Sequence, residues 1–108
     1  MYEPEIKNTI KNKDGSYEIY FENSLPSWHE FDLILKKLVS EHQCTIIEEI
    51  DMITDKDAIL KLGNVSFILR NCYMFGNYIY STNENDIELL EQIVKKVIES
   101  IKLEIEKE

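Results

Sequence analysis

The stretch from Asp57 to Ser81 alternates apolar and polar side chains and is interrupted twice by Gly-Asn. It is rich in aromatic and β-branched residues, which is typical of antiparallel strands joined by tight turns. The dipeptide at residues 63–64 predicts a two-residue hairpin loop, because glycine tolerates the positive φ that such loops require. Such a loop sets the strand register. On one apolar face, the predicted cross-strand pairs are Leu62–Val65, Leu60–Phe67 and Ala58–Leu69.

The opposite face of this hairpin has a mixed character. There the same register pairs Lys61 with Ser66, Ile59 with Ile68, and Asp57 with Arg70. The opposite charges of Asp57 and Arg70 favour a cross-strand contact, which contributes about 0.2–1 kcal/mol. Ile59 and Ile68 make this face partly apolar, so it offers a surface that another group can cover.

Two placements are open for the next turn. In the favoured one, Gly76-Asn77 closes a second two-residue hairpin, which puts Phe75 opposite Tyr78 and Tyr73 opposite Tyr80. In the alternative, the chain turns at Asn71-Cys72 and Gly76 forms a β-bulge in one longer strand. The first is favoured because the same dipeptide serves at residues 63–64. Either placement makes Tyr73, Tyr78 and Tyr80 close neighbours.

Residues 5–22 read as another hairpin, turning at Asp14-Gly15 with Lys13 opposite Ser16 and Ile10 opposite Ile19. Its second arm alternates, with Tyr17, Ile19 and Phe21 on one side. Its first arm is polar, which suits an edge strand.

Two segments have helical periodicity. Ser27 and Glu30 form a capping box that predicts a helix as far as His42, with Lys37 outside its buried stripe. Residues 44–53 then read as a strand. The last helix begins near Asn83 or Asn85. The first helix has the apolar stripe Phe31, Ile34, Leu35, Leu38 and His42, and the last has Ile87, Leu90, Val94, Val97, Ile98, Ile101 and Ile105.

The predicted element order is β-β-α-β-β-β-β-α in a single domain of residues 1–108. Two helices on one face of a mostly antiparallel sheet of five to six strands would bury both apolar stripes. We therefore expect an α+β fold.

The net charge of the chain limits the classes of molecule that it is expected to bind. The chain has 12 Lys and Arg and 21 Asp and Glu, a net charge of −9. This charge disfavours nucleic acid and anionic membranes, and it favours a basic protein partner.

No apolar run approaches the ~20 residues of a membrane helix, and the N-terminus lacks the features of a signal peptide, so we expect a cytoplasmic protein. Cys44 and Cys72 are expected to be reduced packing residues, with a disulfide between them as the lesser alternative.

No pattern predicts catalysis, a cofactor or a metal. His29 and His42 project to different sides of one helix, and the acidic residues lack the glycine of a calcium-binding loop. Cys44 follows His42 closely, but adjacent residues at a helix-to-strand turn rarely point together, and no oxyanion site accompanies them. We therefore expect a binding protein rather than an enzyme.

Two groups of residues are candidates for partner binding. The acidic group is either a docking surface for a basic partner or a solvated strand end. The tyrosines are either interface residues or half-buried sheet residues. The candidates are Glu48, Glu49, Asp51, Asp55, Asp57, Tyr73, Tyr78 and Tyr80.

Two features point to a known class of proteins: the acidic group from Glu48 to Asp57, and the ending in which residues 78–98 pass from a sheet to a helix. The size, net charge and element order of the chain are also those of this class. The chain resembles the bacterial immunity proteins, the inhibitors paired with contact-dependent and other polymorphic toxins. The resemblance implies a tight complex with a toxin domain, often a basic nuclease, whose active site is blocked. The competing hypothesis is a self-associating or adaptor domain, such as a homodimer. It is suggested by Leu89, Ile93 and Leu103, which widen the apolar surface of the last helix.

Overall fold

The chain forms one six-stranded antiparallel sheet with two helices, in the predicted order. The structure is a computed structural model, which describes residues 9–21, 28–72, 74 and 76–106. The strands are β1 (Thr9–Lys11), β2 (Tyr17–Tyr20), β3 (Thr45–Asp51), β4 (Asp55–Leu62), β5 (Val65–Cys72) and β6 (Gly76–Ser81); the helices are α1 (Trp28–His42) and α2 (Ile87–Glu106), the latter preceded by a 3₁₀ turn, Glu84–Asp86.

The strands lie in the order β1-β2-β6-β5-β4-β3. The connection through α1 carries the chain from β2 to the far edge of the sheet, and three successive hairpins then bring it back. The last of these strands, β6, pairs antiparallel with β2, with Ile19 opposite Ile79. As a result, β1 and β3 are the two edge strands.

The central hairpin has the predicted register along its whole length. Gly63 has a φ of 60°, and Leu62 pairs with Val65. The charged pair of Asp57 and Arg70 forms at the other end of the same ladder. This part of the prediction is confirmed.

The prediction of a two-residue turn at Gly76-Asn77 is wrong, and so is the alternative turn at Asn71-Cys72. Cys72 pairs with Gly76, so the chain turns between these two residues. Asn71 and Asn77 pair within the strands, and the Nδ2 of Asn71 donates a 2.8 Å hydrogen bond to the Oδ1 of Asn77. Both side chains are almost fully buried. Because buried amides need partners, this bond favours the register that puts both asparagines inside the ladder.

With the turn between Cys72 and Gly76, Tyr78 and Tyr80 have cross-strand neighbours other than the predicted ones. Tyr78 lies opposite Arg70 and Tyr80 opposite Ile68. The predicted partners Tyr73 and Phe75 lie outside the described residues.

The N-terminal hairpin differs from the prediction by one residue. Lys11, rather than Asn12, lies opposite Tyr17. The Asp14 carboxylate accepts hydrogen bonds from the backbone N and the Oγ of Ser16, at 3.0 and 2.6 Å, and these bonds lower the pKa of Asp14. This local side-chain closure favours a loop of three residues over a loop of two. This one-residue shift in register puts Ile10 opposite Glu18, where it is half exposed.

The two helices pack on one face of the sheet and share one core with it. The α1 stripe is buried apart from His42, which is half-buried, and α2 buries Ile93 together with most of its stripe. Ser27, named in the helix predictions, lies outside the described residues, and so does the side chain of Ile105. The Oδ1 of Asn83 accepts a hydrogen bond from the backbone N of Asn85, so Asn83 caps the 3₁₀ turn that leads into α2. The main core residues are Tyr17, Ile19, Phe31, Ile34, Leu38, Leu60, Leu69, Ile79, Leu90, Val94 and Val97.

Both cysteines are free, with Cys44 buried beneath the end of α1 and Cys72 half-buried. Burial raises the pKa of the Cys44 thiol, which keeps it protonated and unreactive. Over the described residues, neither helix has the length and apolar character needed to cross a membrane.

Lys37 lies at the contact between the helices, although its position in the sequence predicts an outward-facing side chain. It is 5% exposed. Its Nζ lies 2.6 Å from Glu104 Oε1 on α2 and 3.1 Å from Glu41 Oε2 on α1. Glu104 raises the pKa of Lys37, and Lys37 in turn lowers the pKa of Glu41. The ammonium group therefore links the two helices.

This link makes stability depend on pH. Because the folded pKa of Glu41 lies below its usual value of 4.5, its contribution is present above that pH and is lost as the pH falls through the folded pKa. We expect Glu41→Gln to lower the Tm by a few degrees at neutral pH and to leave it unchanged near pH 2, measured by circular dichroism. Glu99→Gln, which changes an exposed acid of α2, is the matched control. An equal loss of Tm at both pH values would contradict the assignment.

Candidate functional site

The face of the sheet opposite the helices carries side chains in continuous rows across the strands. One row starts on the β3 edge and crosses β4, β5 and β6 to β2. Polar and aromatic side chains at its centre lie between an aliphatic residue at one end and a tyrosine at the other. The members of this first row are Ile50, Asp57, Arg70, Tyr78 and Tyr20.

The centre of the first row is a bidentate ion pair. The Nε and Nη2 of Arg70 donate to the two carboxylate oxygens of Asp57, at 2.8 and 2.9 Å. Asp57 is 6% exposed, and its hydrogen bonds with the guanidinium raise the pKa of Arg70. Arg70 Nη1 also donates to the Tyr78 hydroxyl at 3.4 Å, and its guanidinium carbon lies 5.9 Å from the centre of the Tyr80 ring. The charge of Asp57 is therefore neutralised within the sheet.

Two tyrosines complete the first row. The rings of Tyr20 and Tyr78 have centroids 4.7 Å apart and are tilted by 35°. The Tyr20 hydroxyl donates to Glu18 at 2.7 Å. Burial raises the pKa of both phenols, so they stay neutral across the physiological range. Tyr78 is 7% exposed and Asp57 is 6% exposed, so solvent reaches this row mainly at Ile50, Arg70 and Tyr20. These three side chains make the accessible part of the row amphipathic, as is common at protein interfaces.

The second row is apolar at its centre and acidic towards both ends. Ile59, Ile68 and Tyr80 lie side by side, with Glu48 beyond Ile59 and Glu18 beyond Tyr80. A shallow groove of about 240 Å³ follows this row along β5 and β6. It gives the face an apolar strip that ends in negative charge on β3.

The β3 edge itself is exposed at all seven of its residues. Apolar side chains are concentrated there and in the turn that follows. Ile47 is 59% exposed and Ile53 is fully exposed. Single exposed apolar side chains are common on protein surfaces, but several grouped along one edge beside exposed acids are typical of an interaction site. The other exposed apolar residues of this region are Ile46, Ile50 and Met52.

A β-bulge divides the side chains of β3 between the two faces of the sheet. The ladder to β4 shifts between Ile46 and Glu48. In the sequence, Ile46 and Ile50 share a parity, but the bulge puts Ile46 opposite Leu60 of the core face and Ile50 opposite Asp57 of the open face. For the same reason Glu48 joins the open face, whereas Glu49 and Asp51 lie on the side of the helices.

The acids of β3 keep most of their charge uncompensated. Within the described ranges, neither Glu48 nor Glu49 forms an ion pair. Asp51 Oδ1 lies 3.8 Å from the Nζ of Lys56, which also lies 3.5 Å from Asp32 Oδ1. One lysine therefore serves two exposed aspartates, and the edge is negative overall.

The predicted site residues thus divide into three groups. Glu48, Glu49 and Asp51 lie on the β3 edge, and Asp55 begins β4 beside it. Asp57, Tyr78 and Tyr80 lie on the open face, where Asp57 is already paired. Tyr73 lies outside the described residues.

Sequence reasoning missed Tyr20 as a site residue and assigned Arg70 only to a charge pair. Glu18 and Tyr20 are two residues apart along β2, which indicates that they share one face of the strand while Tyr17 and Ile19 share the other. The position of Tyr20 beside Tyr78, however, depends on the pairing of β2 with β6, which joins distant parts of the chain.

The described residues contain no group of three or more His, Cys, Asp or Glu side chains placed to hold a metal ion. Comparison of the chain with protein-family models, with curated proteins and with solved structures gave no match. The exposed edge and the open face are therefore the features on which a functional proposal rests.

Removing Arg70 should destabilise the protein, because Asp57 would remain nearly buried without its partner. We expect Arg70→Ala to lower the free energy of unfolding by about 2–3 kcal/mol, less than for a fully buried pair because Arg70 is partly exposed. The double variant Asp57→Val/Arg70→Val should recover most of this loss. Urea denaturation measures both. The control Lys61→Ala, at an exposed position of β4, should change stability by less than about 0.5 kcal/mol.

Proposed function

We propose that this chain is a small acidic binding protein that acts as an immunity protein and neutralises a basic toxin domain by direct contact. The observation that carries the proposal is the exposed β3 edge, where exposed acids and large apolar side chains occur together. The apolar residues supply the area that stabilises a complex, and the acids select a basic partner. Inhibition would follow because a bound protein covers the toxin's own basic surface.

The net charge of −9 supports the same proposal through kinetics. An excess of negative charge steers a basic protein towards the chain and raises the rate of encounter. Rapid capture suits an inhibitor that must act before the toxin reaches its target. The paired Asp57 adds nothing to this field, so the attraction comes from exposed acids such as Glu48 and Glu49.

Self-association is the second candidate function. Leu89 and Leu103 are 41% and 58% exposed on α2. They lie fourteen residues apart, about 21 Å along the helix, so both can contact a second long helix. Sedimentation at micromolar concentration separates the two candidates, because an obligate dimer would show no monomer.

Co-expression tests the immunity proposal directly. We expect the tagged chain to co-purify one-to-one, in high salt, with the product of the adjacent upstream gene, and we expect that product to be toxic when it is expressed alone. A neighbour that is harmless and does not bind, together with a chain that sediments as a dimer, would favour the self-associating domain.

The rate of association should depend strongly on salt. We expect the association rate constant to fall by about tenfold or more between 50 and 500 mM salt, because screening weakens the attraction between exposed charges. The dissociation rate constant should change much less. Stopped-flow mixing measures the first and competition with unlabelled partner measures the second. An association rate that is independent of salt would remove the electrostatic part of the proposal.

A further inference from the structure

We propose that the partner binds by adding an extended, basic strand to the free edge of β3. This inference rests on the proposed function and specifies its binding site. The partner is then recognised by main-chain hydrogen bonds along β3 and by charge pairs with the acids of β3. The open face beside the edge then contacts the rest of the partner.

The outer side of the β3 backbone is available for pairing. Among the described residues, β3 has a strand neighbour on one side only, so its alternate N–H and C=O groups point outward without a strand partner there. β3 has seven residues, which is about 23 Å of extended chain. Its bulge lies near the start, between Ile46 and Glu48, and the ladder from Glu48 to Asp51 is regular. This regular half offers a template for an incoming strand.

β3 has only part of the usual protection of an edge. Edge strands are commonly protected by lysine or other charged side chains, by proline, by a β-bulge or by being very short. β3 has a bulge near its start and three acids, which disfavour an acidic partner but not a basic strand. The other edge, β1, has three residues in the described part of the chain and ends in Lys11. By contrast, β3 carries three isoleucines and neither lysine nor proline. An exposed edge of this composition attracts other strands.

The acids of β3 determine which kind of strand can pair with it. If a second copy paired through β3, Glu48, Glu49 and Asp51 of both chains would lie in one short ladder, and like charges brought close together destabilise a ladder. The acids thus act against self-pairing. Because the bulge distributes them over both faces, with Glu48 on one face and Glu49 and Asp51 on the other, a matching strand needs basic side chains on both of its faces. A lysine- or arginine-rich segment meets this requirement.

The test uses peptides of defined charge and shape with the isolated chain. The first peptide is Val-Lys-Lys-Val-Lys-Lys-Val, which puts lysines on both faces of an extended strand. The second peptide replaces each Val by Pro, which removes N–H donors from both edges of that strand. Nuclear magnetic resonance titration follows the backbone amides. We expect the Lys/Val peptide to shift the signals of β3 residues and to bind at least about tenfold more tightly than the Lys/Pro peptide. Equal binding of the two peptides, or shifts spread over the whole acidic surface, would overturn the inference.

A charge reversal separates the edge from the net charge. The edge variant is Glu48→Lys/Glu49→Lys/Asp51→Lys, and the matched control is Glu84→Lys/Glu88→Lys/Glu99→Lys, which reverses three other exposed acids. Each change raises the net charge from −9 to −3. The edge variant should lose the Lys/Val peptide and bind a Glu/Val peptide instead, whereas the control should keep the original preference. Equal weakening of Lys/Val binding in both variants would show net attraction rather than a strand site.

The edge inference and the immunity proposal have separate modes of failure. If the neighbouring gene product binds the edge variant as tightly as the unchanged chain, β3 is not the site, although the immunity proposal stands. If no toxic neighbour binds but the Lys/Val peptide still occupies β3, the strand site stands and the immunity proposal fails.

Discussion

The pairing of β2 with β6 determines which surfaces of this protein are available. Every other strand pair in the sheet joins neighbours along the chain through a hairpin. This one pair closes the sheet across about sixty residues, with Ile19 against Ile79 in the core. Once it forms, α1 must cross to the far side, and β3 becomes the last strand. The same pair brings Tyr20 against Tyr78 on the open face.

The sequence predicts the elements and the central hairpin well, because local signals determine both. Gly63 provides the left-handed turn, and the alternation around it places every pair from Leu62–Val65 to Asp57–Arg70. The errors arise where a side chain bonds to a nearby group. Asp14 closes its turn onto Ser16, and Asn71 bonds to Asn77 inside the ladder. In each case a hydrogen bond, rather than the Gly-containing dipeptide, determines the register.

The candidate site was partly visible in the sequence. The acids of β3 could be found because they are adjacent in the chain and outnumber the nearby lysines. Their distribution over two faces could not be found, since a one-residue bulge reverses the parity after Ile46. Arg70 and Tyr20 needed the strand order, and Lys37 needed the position of Glu104 on the other helix. These are all contacts between segments that no single stretch of sequence reveals.

The ion pair of Asp57 and Arg70 has a consequence for how charge is arranged over the molecule. Because the two groups cancel within the open face, the middle of that face has almost no field of its own. At its margins lie Glu48 of β3 and Glu18 of β2, which form no ion pair within the described residues. The charges at the margins therefore orient an approaching molecule. At the nearly neutral centre, shape complementarity determines how long that molecule remains bound.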